Sequence, residues 1–176
     1  MKIIKPYVEL LNYTVESEYK MHLICSCSVA HDILRYDYFE DVEERQLVDP
    51  ISINFILPCW FSKECKNELI KKEQYLNIDD FDDHFDTPDF DEWAWIMHVI
   101  QSEIHHKNAI QNGWRPQYAY QFLPRSLRTD LIITGGNGEW LNFFEDNAFN
   151  GVLYPQRHEI AQLAFDKYLE VTPDGH

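Results

Sequence analysis

The segment from Asn112 to Phe144, NGWRPQYAYQFLPRSLRTDLIITGGNGEWLNFF, constrains the fold more than any other part of this chain. Gly113 reads as a helix stop, because glycine enters the left-handed conformation without a Cβ penalty. Tyr118 to Phe122 reads as a short helix ended by Pro124, and residues 127–134, LRTDLIIT, read as a strand rich in apolar and β-branched residues. Gly135 to Gly138 read as a turn, and Glu139 to about Ala148 as the helix that follows.

The rest of the chain supplies strands early and helices late. Residues 2–13 and 19–27 read as strands, and 28–38 as a helix because Val29, Ile33 and Leu34 recur at helical spacing. ISINFIL (51–57) reads as a strand ended by Pro58, and a Lys- and Glu-rich helix is expected from Phe61 to about Leu76. A long helix follows, with Thr87 as N-cap, Pro88 at its first position and Gly113 as its end. Trp93, Ile96, Met97, Ile100 and Ile104 form its apolar stripe. A last helix covers Pro155 to Leu169. With no internal repeat and no domain linker, this arrangement predicts an α+β fold in a single domain over 1–176.

Charge narrows the partners. Lys+Arg 15 against Asp+Glu 30 gives a formal net charge of −15. That surface repels nucleic acid and anionic membranes and does not help to attract phosphorylated ligands. Solubility, or else a basic partner, accounts for such a surface, solubility being the commoner reason, and charge reversal at Asp79, Asp80, Asp82 and Asp83 would test an acidic decoy role. The opening MKIIKPYVELLNY has neither the apolar run nor the cleavage site of a signal peptide, and no stretch reaches membrane-spanning length. A cytoplasmic protein with reduced thiols at Cys25, Cys27, Cys59 and Cys65 is expected.

Few residues form a recognisable chemical set. The acidic run 77–92 lacks the central glycine and terminal glutamate of a calcium loop. Glu103 and His106 are spaced as in one half of a di-iron bundle, but no second copy exists on another helix. GGNG (Gly135 to Gly138) lacks the Lys-Ser/Thr of a phosphate-binding loop. Trp60, Trp93, Trp95, Trp114 and Trp140 read first as core and second as an oligomer interface.

The words GWRPQYA, LPRSLRTDLIIT and GEWLNFF, in that order, resemble the C-terminal half of flavin-dependent thymidylate synthases. MKIIKPYVELL is similar to that family's first strand, and YPQRHEIAQLA to its last conserved stretch, with Gln156 and Glu159 in place. Residues 22–47 lie on its signature region, with a family helix missing around 14–20. The resemblance implies a tetramer with active sites between subunits, and methylation of dUMP using FAD, NADPH and methylenetetrahydrofolate.

The site residues implied by the resemblance are mostly replaced. The family's Arg-His-Arg corresponds to Arg35-Tyr36-Asp37, and its later serine to Arg45. Glu43 keeps the family's glutamate, while Leu47 stands for an arginine. Tyr120 takes the place of a nucleotide-binding arginine, and Gly136 and Gly138 those of an asparagine and an arginine against the flavin. Asn147 stands for a further arginine, and Asn142 keeps an amide used near the flavin. Phosphorylated ligands need cations, so replacements at Asp37, Leu47, Tyr120, Gly138 and Asn147 argue against the ancestral reaction.

Arg35 and Asn142 are thus the candidate cofactor-binding residues, with FAD as the candidate cofactor. Glu43, Tyr120, Arg125, Ser126 and Arg128 are the candidates for substrate; Arg125 and Arg128 flank Ser126 and with Arg157 read either as solvated charges at element ends, the commoner role, or as a remade anion site. The favoured expectation is a non-catalytic homologue that binds a nucleotide or protein partner and forms a homo-oligomer. The alternative is an active FAD-dependent thymidylate synthase or related nucleotide-modifying enzyme.

Overall fold

A computed structural model describes residues 2–14, 18–45, 53–71, 89–150 and 154–172. The chain divides into two compact units. One takes Met1–Ile4, Val48–Leu57 and Phe61–Leu127; the other takes Lys5–Leu47, Pro58–Trp60 and Arg128–His176. Strands and helices of both units make this an α+β protein, as the sequence implies.

The second unit is built on a four-stranded sheet, β2 (Tyr7–Tyr13), β3 (Glu18–Ser26), β4 (Asp41–Arg45) and β6 (Arg128–Gly136), in the order β2-β3-β6-β4 with every pair antiparallel. Tyr19, Met21, Leu23 and Cys25 alternate along β3 into a core completed by Leu131 and Ile133 of β6. Three helices contribute the rest of that core: α1 (Cys27–Arg35), α5 (Asn137–Phe144) and α6 (Pro155–Val171). Its densest part is aromatic, with Phe39 4.5 Å from Trp140 and Phe144 5.6 Å from Trp140, ring centre to ring centre. The Trp140 indole N–H donates to the Tyr19 carbonyl at 3.3 Å, so the largest buried side chain leaves no polar atom unpaired.

In the first unit β1 (Lys2–Ile4) pairs in parallel with β5 (Asn54–Ile56), and Phe55 bridges to Leu127. Two helices follow, α2 (Lys63–Lys71) and α3 (Phe90–Gln111), then α4 (Pro116–Ala119) with a 3₁₀ turn over Tyr120–Phe122. Ser62 caps α2 by accepting from the Cys65 N–H, and the buried Glu92 carboxylate accepts from both the Ser62 N–H and its hydroxyl. A charged side chain is tolerated there because each oxygen has a donor.

Several sequence expectations are corrected. The predicted strand 2–13 breaks at Lys5-Pro6, since proline cannot donate to a ladder, and its halves join different sheets. β4 was not expected: DVEER reads as polar, yet it pairs along β6 from Asp41↔Thr134 to Arg45↔Asp130. Gly135 and Gly136 belong to β6, opposite Tyr19 and Glu18, rather than to a turn. Gly135 is required by close approach, because a Cβ there would lie 2.7 Å from the Phe39 ring. The helix starts at once on Asn137, where the Glu139 carboxylate accepts from the Gly136 N–H at 2.7 Å.

Gly113 does end α3, at φ 81°, with its N–H on the Ile110 carbonyl. The expected caps Thr87 and Pro88 lie outside the described residues, as does most of the acidic run; Asp89 caps α3 by accepting from the Asp91 N–H. The apolar stripe is shifted: Trp93 and Ile104 are exposed, and the buried face runs through Glu92, Ile96, Val99, Ile100, Glu103 and His106. Of the tryptophans, Trp140 is core, whereas Trp60, Trp93 and Trp114 are exposed. Among the described residues no helix is long and apolar enough to cross a membrane.

Candidate functional site

The second unit holds an arginine that its helix pattern places inside. Along α6 the buried positions are Arg157, Ile160, Ala161, Ala164 and Tyr168, a single face at helical spacing. Arg157 is 8% exposed, and its Nε and Nη1 have no hydrogen-bond partner among the described residues. Its guanidinium carbon lies 4.6 Å from the centre of the Tyr154 ring and 5.0 Å from that of Tyr36. The Arg35 guanidinium approaches the same Tyr36 ring at 6.0 Å. Two cations therefore approach the Tyr36 ring, an arrangement favoured by the negative face of the ring.

Beside Arg157 opens a cavity of about 150 Å³, lined by Ser28, Val29 and Asp32 of α1, by Trp60, and by Tyr154, Pro155, Gln156 and Arg157. Ser26 caps α1, accepting from the Val29 N–H at 3.3 Å, which puts Ser28 in the first turn. Pro155 opens α6, and Tyr154 precedes it without a side-chain cap. Two helix starts thus line one cavity.

The other side of Arg157's neighbourhood is a π-helical turn over Glu145–Phe149. This widened turn frees carbonyls that α6 satisfies: His158 Nδ1 donates to the Asn147 carbonyl at 2.9 Å, and Gln162 Nε2 to the Ala148 carbonyl at 2.6 Å. Asn147 is wholly buried, with Nδ2 donating to the Phe143 carbonyl at 2.8 Å and Oδ1 without a partner among the described residues. Tyr38 donates its hydroxyl to Asp146 at 3.0 Å; burial, then the Asp146 carboxylate, pushes its pKa up, so it remains a donor.

The sequence candidates are distributed as follows. Arg35 is exposed at the end of α1, followed by Tyr36 as C-cap and by Asp37 in the left-handed region at φ 52°. Glu43 is exposed on the edge strand β4, and Asn142 exposed on α5. Arg128 faces Asp130: Nε to Oδ1 is 2.7 Å and Nη2 to Oδ2 2.8 Å, while His22 Nε2 donates to Oδ2 at 2.9 Å. That bidentate pair occupies the fork an anion would need.

In the first unit Tyr120 is half-buried with its ring 5.7 Å from His106, and burial raises its hydroxyl pKa. Ser126 passes its carbonyl to the Ile56 N–H at 2.8 Å and keeps a buried Oγ without a partner; Arg125 is exposed. His106 is fully buried, its ring nitrogens have no hydrogen-bond partner among the described residues, and burial pushes its pKa down against the pull of Glu103. Among the described residues no three His, Cys, Asp or Glu side chains group as metal ligands.

The sequence matches no protein-family model and no curated protein. Solved structures do match. A UMP/dUMP methylase, PolB from Streptomyces cacaoi, bound with 5-Br dUMP, superposes with a TM-score of 0.66 at 8% identity, over 97% of this chain and 93% of that one. The same methylase bound with 5-Br UMP gives 0.66 at 10% identity, over 97% and 92%. At such identity the likeness is one of fold, and it extends over nearly the whole chain.

Proposed function

We propose that this protein is a nucleotide-binding relative of thymidylate-synthase-like enzymes that no longer carries out flavin-dependent methyl transfer. The observation that carries this reading is Asn147. The resemblance implies an arginine there, and the asparagine amide is turned back onto its own helix and wholly buried, so it cannot substitute for a cation.

The donor set supports the same conclusion for the cofactor. A flavin dinucleotide brings a pyrophosphate, which needs guanidinium groups or free N–H groups. At the positions the resemblance assigns, Asp37 brings a carboxylate, Gly138 brings no side chain, and the Gly136 N–H is already held by Glu139. Arg35 is the remaining guanidinium. These residues do not fit a flavin diphosphate, and no step through flavin is part of this reading. Nucleotide binding is supported by the shared fold, because the matching methylase structures hold 5-Br dUMP and 5-Br UMP.

Absorption spectroscopy after addition of FAD and removal of the excess, paired with calorimetric titration of UMP and dUMP, tests both halves. The expected result is a colourless protein that binds a pyrimidine nucleotide. A stoichiometric flavin band would overturn the loss of the reaction and restore the enzyme reading. Homo-oligomer formation belongs to the same proposal, supported by exposed Trp93, Trp114 and Tyr118, and a monomer mass by light scattering would remove it.

A further inference from the structure

The first unit carries a cavity of its own, formed where the chain turns back over the end of α3. Gly113, at φ 81°, stops that helix, and the N–H groups of Asn112 and Trp114 close on the Asn108 and Ala109 carbonyls. The turn brings Trp114 beside the last turn of α3, and the 3₁₀ segment Tyr120–Phe122 returns Phe122 to the same place. The ring centres of Trp114 and Phe122 lie 5.9 Å apart, and those of His105 and Phe122 5.8 Å, at interplanar angles of 38° and 54°. Three tilted rings thus wall a cavity of about 270 Å³, completed by Asn108, Ala109 and Asn112. The rings are open to a ligand, Trp114 being 51% exposed and Phe122 39%.

Charge selects the ligand. No lining side chain is a carboxylate, an ammonium or a guanidinium group. The last turn of α3 holds no basic residue, so no side chain offsets its negative dipole end. Lys107, one turn earlier, is paired with Glu103 at 2.9 Å, and Arg115 is exposed and off the lining. The chain as a whole carries −15. These features disfavour an anion and favour a cation, and the negative ring faces do the same. A metal ion would lack ligands, because among the described residues no three His, Cys, Asp or Glu side chains group together. A primary ammonium is strongly hydrated and has three N–H groups to satisfy, whereas a methylated one presents carbon to the rings. About 270 Å³ equals roughly nine water volumes, enough for a compact head group.

We infer that this cavity is a site for a small methylated ammonium compound, with Trp114, Phe122 and His105 as its ring walls. The exposed Asn108 and Asn112 amides supply oxygen acceptors beside the rings. The site lies wholly within the first unit and does not depend on the nucleotide reading. Trp114 also supports the oligomer proposed above, and cation binding requires that a second copy leave its ring uncovered.

The experiment is saturation-transfer NMR on the full chain, titrated with choline and with its neutral carbon isostere, in which a tert-butyl group replaces the trimethylammonium. Choline is expected to bind, and the isostere to bind about two- to fivefold more weakly, the difference a cation–π contact makes at an exposed site. Trp114→Leu keeps apolar surface and should weaken choline by a similar factor while leaving the isostere unchanged. His105→Lys and Asn108→Glu alter the charge of the lining at exposed helical positions, with residues that form helix well. They should weaken and strengthen choline respectively, each about two- to fivefold, and leave the isostere unchanged. A gain in Asn108→Glu cannot come from a damaged fold, and both variants retain Trp114, so neither reports a lost oligomer contact. The isostere binding as tightly as choline overturns the cation site, and so does choline binding unaltered in all three variants. Absence of saturation transfer to choline overturns it as well, whatever UMP and dUMP do, so the nucleotide reading stands or falls separately.

Discussion

Replacing Asp130 by asparagine separates a structural role for Arg128 from a ligand-binding one. The Asp130 side chain is 3% exposed and receives three donors, two from Arg128 and one from His22. Removing one partner of a buried ion pair typically costs about 3–5 kcal/mol. Here Arg128 and His22 are 25% and 23% exposed, so water restores part of their solvation, and the amide retains one acceptor oxygen. We therefore expect a loss of about 2 kcal/mol, which in a chain of this length lowers the melting temperature by about 4–8 °C. Arg128→Ala should cost a similar amount, and the double variant less than the sum, because both changes break the same pair.

The same pair predicts a pH signature. Burial alone would raise the Asp130 pKa, but hydrogen bonds from Arg128 and His22 outweigh it and hold the carboxyl below its ordinary range. A depressed folded pKa contributes stability that is present above the unfolded value, near 4, and is lost as the pH falls through the lower folded value. Urea unfolding should show the wild-type advantage over Asp130→Asn constant at neutral pH and shrinking below about pH 4. An Arg128→Ala protein within about 0.5 kcal/mol of wild type, the range of ordinary surface changes, would refute the structural role and return Arg128 to the ligand candidates.

The glycines offer a paired test by urea midpoint. Gly135→Ala should destabilise by about 1–3 kcal/mol because its Cβ would meet the Phe39 ring, whereas Gly138→Ala meets nothing within 4 Å and should be neutral or add about 0.4–1 kcal/mol. Equal effects would contradict the close-approach argument. Glu139→Ala should cost about 1 kcal/mol by releasing the Gly136 N–H, measured in the same way. Cys25 and Cys65 should resist iodoacetamide at pH 8 while the half-buried Cys59 reacts. Burial raises the Cys25 thiol well above its usual range, and burial followed by the neighbouring Glu92 pushes Cys65 up to about 12. Peptide mass spectrometry finding Cys65 labelled as quickly as Cys59 would sink that prediction.

How far the fold was legible depended on whether local pattern and tertiary pairing agreed. LRTDLIIT carries the apolar run Leu131 to Ile133 and lies in the middle of the sheet, so β6 is legible in the sequence, as are α1 and α6. DVEER escaped notice because an edge strand takes its backbone partners from one side only and needs no apolar run. The two glycines ending β6 read as a turn because glycine usually punctuates; here Gly135 makes room for Phe39, a contact between residues far apart in the sequence. Pro6 was in plain view, but that it divides strands between two sheets follows from pairing, which no local window contains.

The site shows the same division more sharply. A resemblance carries ligand roles only onto aligned positions, and those now hold Asp37, Gly138 and a buried Asn147. From the sequence Arg157 reads as part of a remade anion site with Arg125 and Arg128, and its spacing to Ile160, Ala161, Ala164 and Tyr168 places it on the buried face of its helix. His106 is its counterpart in the first unit, four turns into a face that also buries Ile96, Val99 and Ile100. A polar residue in phase with an apolar stripe must find a partner or meet a cost of a few kcal/mol. Asp130 resolves that cost through Arg128 and His22, whereas among the described residues the Arg157 guanidinium meets the Tyr36 and Tyr154 rings. That contrast separates Arg128, which holds the fold through Asp130, from Arg157, which is held against rings.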